Sequence, residues 1–148
     1  MVDDGSTDDS ILRLQSLAAS IPYLRIYRHP ENRGVNAACN TGLDLVTGDF
    51  VLFSAADDRL SAAMIQHAFA AAAAFPETGV IFSDHAEMRA DGSNTRIVPL
   101  DLPKTRRYFS ADEFVRLMQN HFFYFHVSNV WFNVALLREL GGFPLDVK

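Results

Sequence analysis

The chain has 148 residues, 49% of them hydrophobic and 21% charged, the balance of an ordinary globular domain large enough to bury a core. A formal net charge of −5 argues against a nucleic-acid backbone as a partner. The lone Cys39 excludes an intrachain disulfide, and the longest apolar stretch, around Ala68–Phe75, is too short for a bilayer, so the expected location is the cytoplasm.

In chain order, Met1-Val2 reads as the end of a strand. It runs into the loop Asp3-Asp4-Gly5-Ser6-Thr7, with Ser6 or Thr7 as helix cap and Asp8-Asp9 suited to the helix dipole. Ile11, Leu14, Leu17, Ala18 and Ile21 repeat at the helical period, and Pro22 ends that helix. Leu24–Tyr27 alternates as a strand does, and Pro30–Gly34 is a turn. From Val35 to Val46 small residues predict a second helix, within which Cys39 is expected as inert core.

Phe50–Ser54 is a short apolar run of the kind that forms a strand buried on both faces. It ends in adjacent carboxylates, Asp57 and Asp58. Hard divalent cations and ribose hydroxyls both need such groups, and in open α/β sheets ligands sit at that end of the strands. The plainer reading is a solvated loop before a helix. Asp3-Asp4, a second acidic pair in a like setting, favours the functional one. A third helix runs from a Ser61 cap to about Phe75, with Met64, Ile65, Ala68, Phe69 and Ala72 as its buried stripe. Val80–Ser83 is a strand, continuing through His85–Met88, turning at Asp91-Gly92 and returning through Thr95–Val98. Asp84 lies at a strand end and is a pocket candidate, with His85 at its rim.

Lys104, Arg106 and Arg107 form a basic loop that is either solvated or steers an anion. Ser110 caps a fourth helix, and the aromatic run His121–His126 reads as core. Trp131 and Phe132 either stack on a sugar or pack inside. A short helix over Val134–Leu140 ends at a left-handed Gly141-Gly142. Strands alternating with helices predict an α/β fold with a mostly parallel sheet, helices on both faces and a late antiparallel hairpin.

Taken together, V-D-D-G-S-T-D at 2–8, N-x-G at Asn32–Gly34, A-x-N-x-G at Ala38–Gly42, A-A-D-D at Ala55–Asp58 and G-G-F at Gly141–Phe143 carry a pattern that no one of them carries alone. In their order and spacing they resemble the nucleotide-sugar-binding domain of family 2 glycosyltransferases, the GT-A fold, over nearly the whole chain. The resemblance implies one partial domain over residues 1–148 that transfers a sugar, with inversion, from a nucleotide-diphosphate sugar to a carbohydrate or lipid-linked acceptor, as in cell-envelope polysaccharide synthesis. It implies that Asp3 and Asp4 meet the base or ribose, with Gly5 and Ser6 shaping the loop. Asn32, Gly34, Ala38 and Asn40 line the base side. Asp57 and Asp58 divide a divalent cation, Mg²⁺ or Mn²⁺, and the ribose between them in an order the sequence leaves open.

Three departures qualify the resemblance. Ala55 stands where many members have an aspartate, so one oxygen ligand is missing. The family's first strand, central in its sheet, would lie before Val2. The acceptor-activating carboxylate normally follows G-G-F by several residues, and Asp146 is the only acidic residue after that motif. A sheet without its central strand predicts a homo-oligomer that fills the gap, and weak activity for the isolated chain. Two rival readings are a non-catalytic remnant that binds a nucleotide or a partner chain, and a receiver-type signalling domain built on Asp3-Asp4, Asp57 and Lys104.

Overall fold

The computed structural model describes residues 1–93, 95–100, 102, 108–120 and 127–146. The basic loop of Lys104, Arg106 and Arg107 and the His121–His126 run lie outside the described residues. The elements in order are β1 (Val2–Asp3), α1 (Ser10–Ser20), β2 (Tyr27–Arg28), α2 (Val35–Leu45), β3 (Phe50–Leu52), α3 (Ala62–Ala74) and β4 (Val80–Phe82). They continue with β5 (His85–Glu87), β6 (Arg96–Val98), α4 (Ala111–Asn120), a 3₁₀ turn (Val127–Asn129), β7 (Val130–Asn133) and α5 (Val134–Glu139). Two compact units divide the chain. The first comprises Met1–Val51 and Val134–Lys148, the second Leu52–Asn133.

In the first unit β1 and β2 pair in parallel, Val2 opposite Tyr27 and Asp3 opposite Arg28. Tyr27 N–H donates to Met1 O and His29 N–H to Asp3 O, both at 2.9 Å. This ladder moves the second strand later than the expected Leu24–Tyr27, because Leu24 N–H instead closes a turn onto Ile21 O. The register brings His29 level with the end of β1, a position that alternation over Leu24–Tyr27 does not give it.

Helix α1 keeps its expected period, with Ile11, Leu14, Ala18 and Ile21 half-buried, but Leu17 lies open. Asp9, and not Ser6 or Thr7, stands at its N-cap, without a side-chain cap bond, and the Asp8 carboxylate accepts from Ser10 N–H. Among the described residues of this unit, Ala37 and Leu43 of α2, Val51 of β3 and Val134 and Leu137 of α5 are the buried apolar ones. Cys39 is half-buried, and desolvation pushes its thiol pKa up, which keeps it protonated and unreactive.

Helix α5 stops where expected. Gly141 and Gly142 hold φ of 84° and 74°, and their N–H groups return to Arg138 O and Leu137 O. Arg138 then reaches α2, donating to Leu43 O at 2.7 Å and Val46 O at 2.8 Å. A cation thereby satisfies carbonyls that the helix end leaves open.

In the second unit β4 and β7 pair antiparallel, Val80 opposite Phe132 and Phe82 opposite Val130. Ser83 N–H to Asn129 O and Asn133 N–H to Gly79 O extend the ladder at both ends. Strands β7 and β4 are hydrogen-bonded neighbours within the unit. Strand β7 is an addition to the expected elements: Val-Trp-Phe is a β-forming run too short to stand out beside its aromatic neighbours. The β5–β6 hairpin forms as expected, with Gly92 at φ 82° and Asp91 accepting from Ser93 N–H. Ser83 and Asp84 separate β4 from β5.

The chain is α/β, as expected, but its pairings are not those of a mostly parallel sheet. Of the registers above, one is parallel and two are antiparallel. Helix α3 buries a narrower stripe than its period predicts. Met64, Ala68 and Ala72 lie on one i, i+4 row and turn inward, while Ile65 and Phe69, one residue further round, are exposed. Ser61 stands at its N-cap through its carbonyl, which accepts from Met64 N–H, and not through its side chain. Ser110 and Glu113 form a reciprocal capping box at α4.

Candidate functional site

The candidate residues fall into two clusters, one in each unit. The first is built on the loop that leaves β1. Asp3 is 5% exposed, and its Oδ2 lies 3.1 Å from Arg28 Nε. That contact is an ion pair without hydrogen-bond geometry, so Asp3 Oδ2 is a buried oxygen that accepts no hydrogen bond. Arg28 also donates to Ser6 O at 2.9 Å, so one guanidinium spans the loop from Asp3 to Ser6. Gly5, at φ 73°, lets the loop touch the following turn. A Cβ there would lie 2.5 Å from Glu31 C and 2.7 Å from Asn32 N.

Asp4 is bound on three sides. Its Oδ1 faces His29 Nδ1 at 2.6 Å and accepts from Arg33 N–H at 3.0 Å. Its Oδ2 accepts from Gly34 N–H at 2.8 Å. The His29 hydrogen bond, with those two backbone amides, holds the Asp4 carboxyl below the usual carboxylate range. An ionised carboxylate only accepts, so Nδ1 of His29 carries a proton. His29 Nε2 lies 2.8 Å from Thr41 Oγ1 on α2, and the ring is 1% exposed.

Asn32 Oδ1 accepts from Gly34 N–H at 3.1 Å, closing the turn that starts α2. Gly34 is the N-cap, at φ 89°, and its carbonyl accepts from Ala38 N–H. Asn40 faces the other way. Its Nδ2 donates to Phe143 O and its Oδ1 accepts from Phe143 N–H, both at 2.8 Å. Asn36 Nδ2 donates to Pro144 O at 2.7 Å. The side-chain amides of α2 thus pin the segment that contains G-G-F.

The second cluster surrounds the acidic pair after β3. Ala55–Asp58 is a turn closed by Asp58 N–H to Ala55 O. It exposes Asp57 and leaves Asp58 half-buried. Ser128 Oγ donates to Asp58 Oδ2. Beside Ser128, Asn129 is 3% exposed; its Nδ2 donates to Ser83 O at 2.7 Å, and its Oδ1 is buried without a partner, as are Ser83 Oγ and Trp131 Nε1. Asp84 does not stand idle at the strand end: its Oδ1 accepts from Leu100 N–H at 2.9 Å. Asp146 is exposed.

Among the described residues no three His, Cys, Asp or Glu side chains converge as a metal site. Asp57 and Asp58 are nonetheless the donor type that Mg²⁺ uses when one or two carboxylates are completed by substrate phosphates. His29, Thr41, Arg28 and Ser128 join the clusters without having stood out in the sequence. The only sign of His29 was its place between the second strand and Pro30. A serine beside an asparagine, as at Ser128, carries no sign at all.

The family model described as Glycosyl transferase family 2 matches residues 1–141. The glycosyltransferase YibD of Escherichia coli (strain K12), described as uncharacterized, is 35% identical over 66 residues, 45% of this chain and 19% of that protein. A PGL/p-HBAD biosynthesis glycosyltransferase of Mycobacterium tuberculosis (strain ATCC 25618 / H37Rv) is 38% identical over 60 residues, 40% of this chain and 23% of that one. The matched stretches thus span about a fifth of these relatives' length. The crystal structure of S. aureus TarS 1-349 superposes with a TM-score of 0.72 at 24% identity, over 99% of this chain and 41% of that one, which shows a shared fold.

Proposed function

This chain belongs to glycosyl transferase family 2, and on that premise we propose that it binds a nucleotide-diphosphate sugar as the donor half of a sugar transfer to a carbohydrate or lipid-linked acceptor. The observation that carries the reading is the first cluster. Two loops, D-D-G-S and N-x-G, are joined by the bound Asp4 carboxylate at the end of β1, and beside the junction Asp3 is ion-paired with Arg28. The end of such a strand is where ligands sit in α/β folds, and the N–H of a base and the hydroxyls of a ribose are donors that suit carboxylates.

Asp57 and Asp58 are the residues we assign to a divalent cation, Mg²⁺ or Mn²⁺, and to the diphosphate. When bound, the ion supplies charge neutralisation for the departing nucleoside diphosphate. Ser128 holds one Asp58 oxygen, which fixes the carboxylate's rotamer. Transfer breaks the bond from the anomeric carbon to the diphosphate oxygen and forms one to an acceptor oxygen, whose proton needs a base. In an inverting reaction that base lies opposite the leaving group. Asp146, exposed beyond G-G-F, stands closer to that motif than such a base does, so no residue of this chain is assigned that role.

Calorimetry with UDP, GDP and their sugars, with and without Mn²⁺, tests the reading. We expect one nucleotide to bind, Asp3→Asn to weaken it, and Asp58→Ala to remove the Mn²⁺-dependent part. Failure of every nucleotide to bind with and without the metal overturns the donor-site assignment.

A further inference from the structure

We infer that His29 is a positioning residue for donor recognition: it sets the Asp4 carboxylate as the joint between the D-D-G-S loop and the N-x-G turn. This inference rests on the nucleotide-binding reading above.

The two aspartates look equivalent in the sequence, but their hydrogen bonding differs. A carboxylate offers about four acceptor positions. Asp4 fills three of them inside the protein, with His29 Nδ1, Arg33 N–H and Gly34 N–H. Asp3 is buried and its Oδ2 is ion-paired with Arg28. Asp4 is therefore the member of the pair that ties the two loops together.

His29 is what orients Asp4. The imidazole is a rigid bridge with polar atoms on two edges, and both are used. Nδ1 holds Asp4, and Nε2 is tied to Thr41 on α2. An apolar residue of similar size would fill the same space, but it would leave the Asp4 rotamer to the two backbone amides alone. Those amides lie in the turn that the carboxylate is meant to hold, so neither side would be fixed by a rigid neighbour. The ring ties both to a helix instead.

Three substitutions separate positioning from core packing. His29→Asn keeps an N–H near the Nδ1 position and can still hold Asp4, while losing the reach to Thr41. His29→Gln reaches toward Thr41 but not Asp4. His29→Ala keeps neither. Two readouts are combined: two-dimensional amide NMR of Arg33 and Gly34, which reports the carboxylate joint directly, and calorimetric titration with UDP and GDP.

We expect the Arg33 and Gly34 signals to hold in His29→Asn and to shift and lose exchange protection in His29→Gln and His29→Ala. Nucleotide affinity should follow the same split, falling about tenfold or more in Gln and Ala and by no more than about threefold in Asn, as the loss of a hydrogen bond to a charged group predicts. Core packing alone would rank the variants by volume, with Gln the mildest and Ala the worst. That ranking, or unmoved Arg33 and Gly34 signals in a folded His29→Gln, overturns the inference. If His29→Ala does not fold, the contrast of Asn with Gln decides. If the wild type binds no nucleotide, the donor-site reading fails, and the NMR arm still decides whether His29 positions Asp4.

Discussion

Asn40 joins two motifs that lie 103 residues apart, and its removal gives the sharpest test of the architecture. Asn40→Ala deletes the donor to Phe143 O and the acceptor for Phe143 N–H, each 2.8 Å long. Each bond contributes about 1 kcal/mol net, and a buried backbone group left unpaired costs about 1–3 kcal/mol. The site is only part-buried, so water recovers some of that cost. The expected loss is about 2–4 kcal/mol, a large share of a typical stability of about 5–15 kcal/mol. Urea unfolding followed by far-UV circular dichroism measures it, and hydrogen exchange at the Phe143 amide localises it.

The neighbouring glycine sharpens the test. A Cβ on Gly142 would lie 2.5 Å from Asn40 Oδ1, and Gly142 holds φ 74°. Gly142→Ala alone should therefore suffer both the clash and the left-handed backbone cost of about 1–2 kcal/mol. In the Asn40→Ala background the clash vanishes and only the backbone cost remains. The double mutant should thus be more stable than the sum of the single losses predicts. Additive losses, or an Asn40→Ala protein within about 0.5 kcal/mol of wild type, the usual range of an inert surface change, would refute this account of the G-G-F segment.

Three further outcomes follow from the same geometry. Gly5→Ala should destabilise by about 2–5 kcal/mol in urea unfolding, combining the left-handed cost with a backbone overlap that flexible side chains cannot relieve. Arg138→Met should lose about 1–2 kcal/mol, because two carbonyls at the end of α2 lose their cation, and Arg138→Lys should recover part of it in the same assay. Asp4 has a folded pKa below its unfolded value of 3.8, so its contribution is present above pH 3.8 and is lost as pH falls through the lower folded value. The stability advantage of wild type over Asp4→Asn should accordingly shrink on acidification through that window, and a difference independent of pH would contradict the bound carboxylate.

Local signals in the sequence specify the structure where neighbouring residues alone decide it. Helix α2, the Asp91-Gly92 hairpin, the Ser110 cap and the Gly141-Gly142 stop depend on neighbours a few residues away. The errors arise where partners are distant. β2 is set by its ladder with β1, and β7 exists through its pairing with β4. On α3 the period is right in kind, yet a single residue of rotation separates buried Ala68 from exposed Phe69. Hydrophobicity alone favours the larger side chain, and the available space favours the smaller.

The candidate site shows the same division at the level of single atoms. The motifs were legible, but what each letter does was not. D-D-G-S and N-x-G are two halves of one junction, because Asp4 reaches Arg33 and Gly34 while Gly5 admits Glu31 and Asn32. A-x-N-x-G and G-G-F are likewise halves of another, through Asn40 and Phe143. Several polar motif residues are therefore held by the protein itself. Asp84, at the end of its strand, accepts from the Leu100 backbone amide. A carboxylate held by such donors has its orientation set by the fold, as Asp4 has through His29 and the Arg33 and Gly34 amides. In the second cluster Ser128 holds Asp58 in the same manner, while Asp57 stands exposed, so two adjacent aspartates that are alike in the sequence differ in how firmly the protein places them.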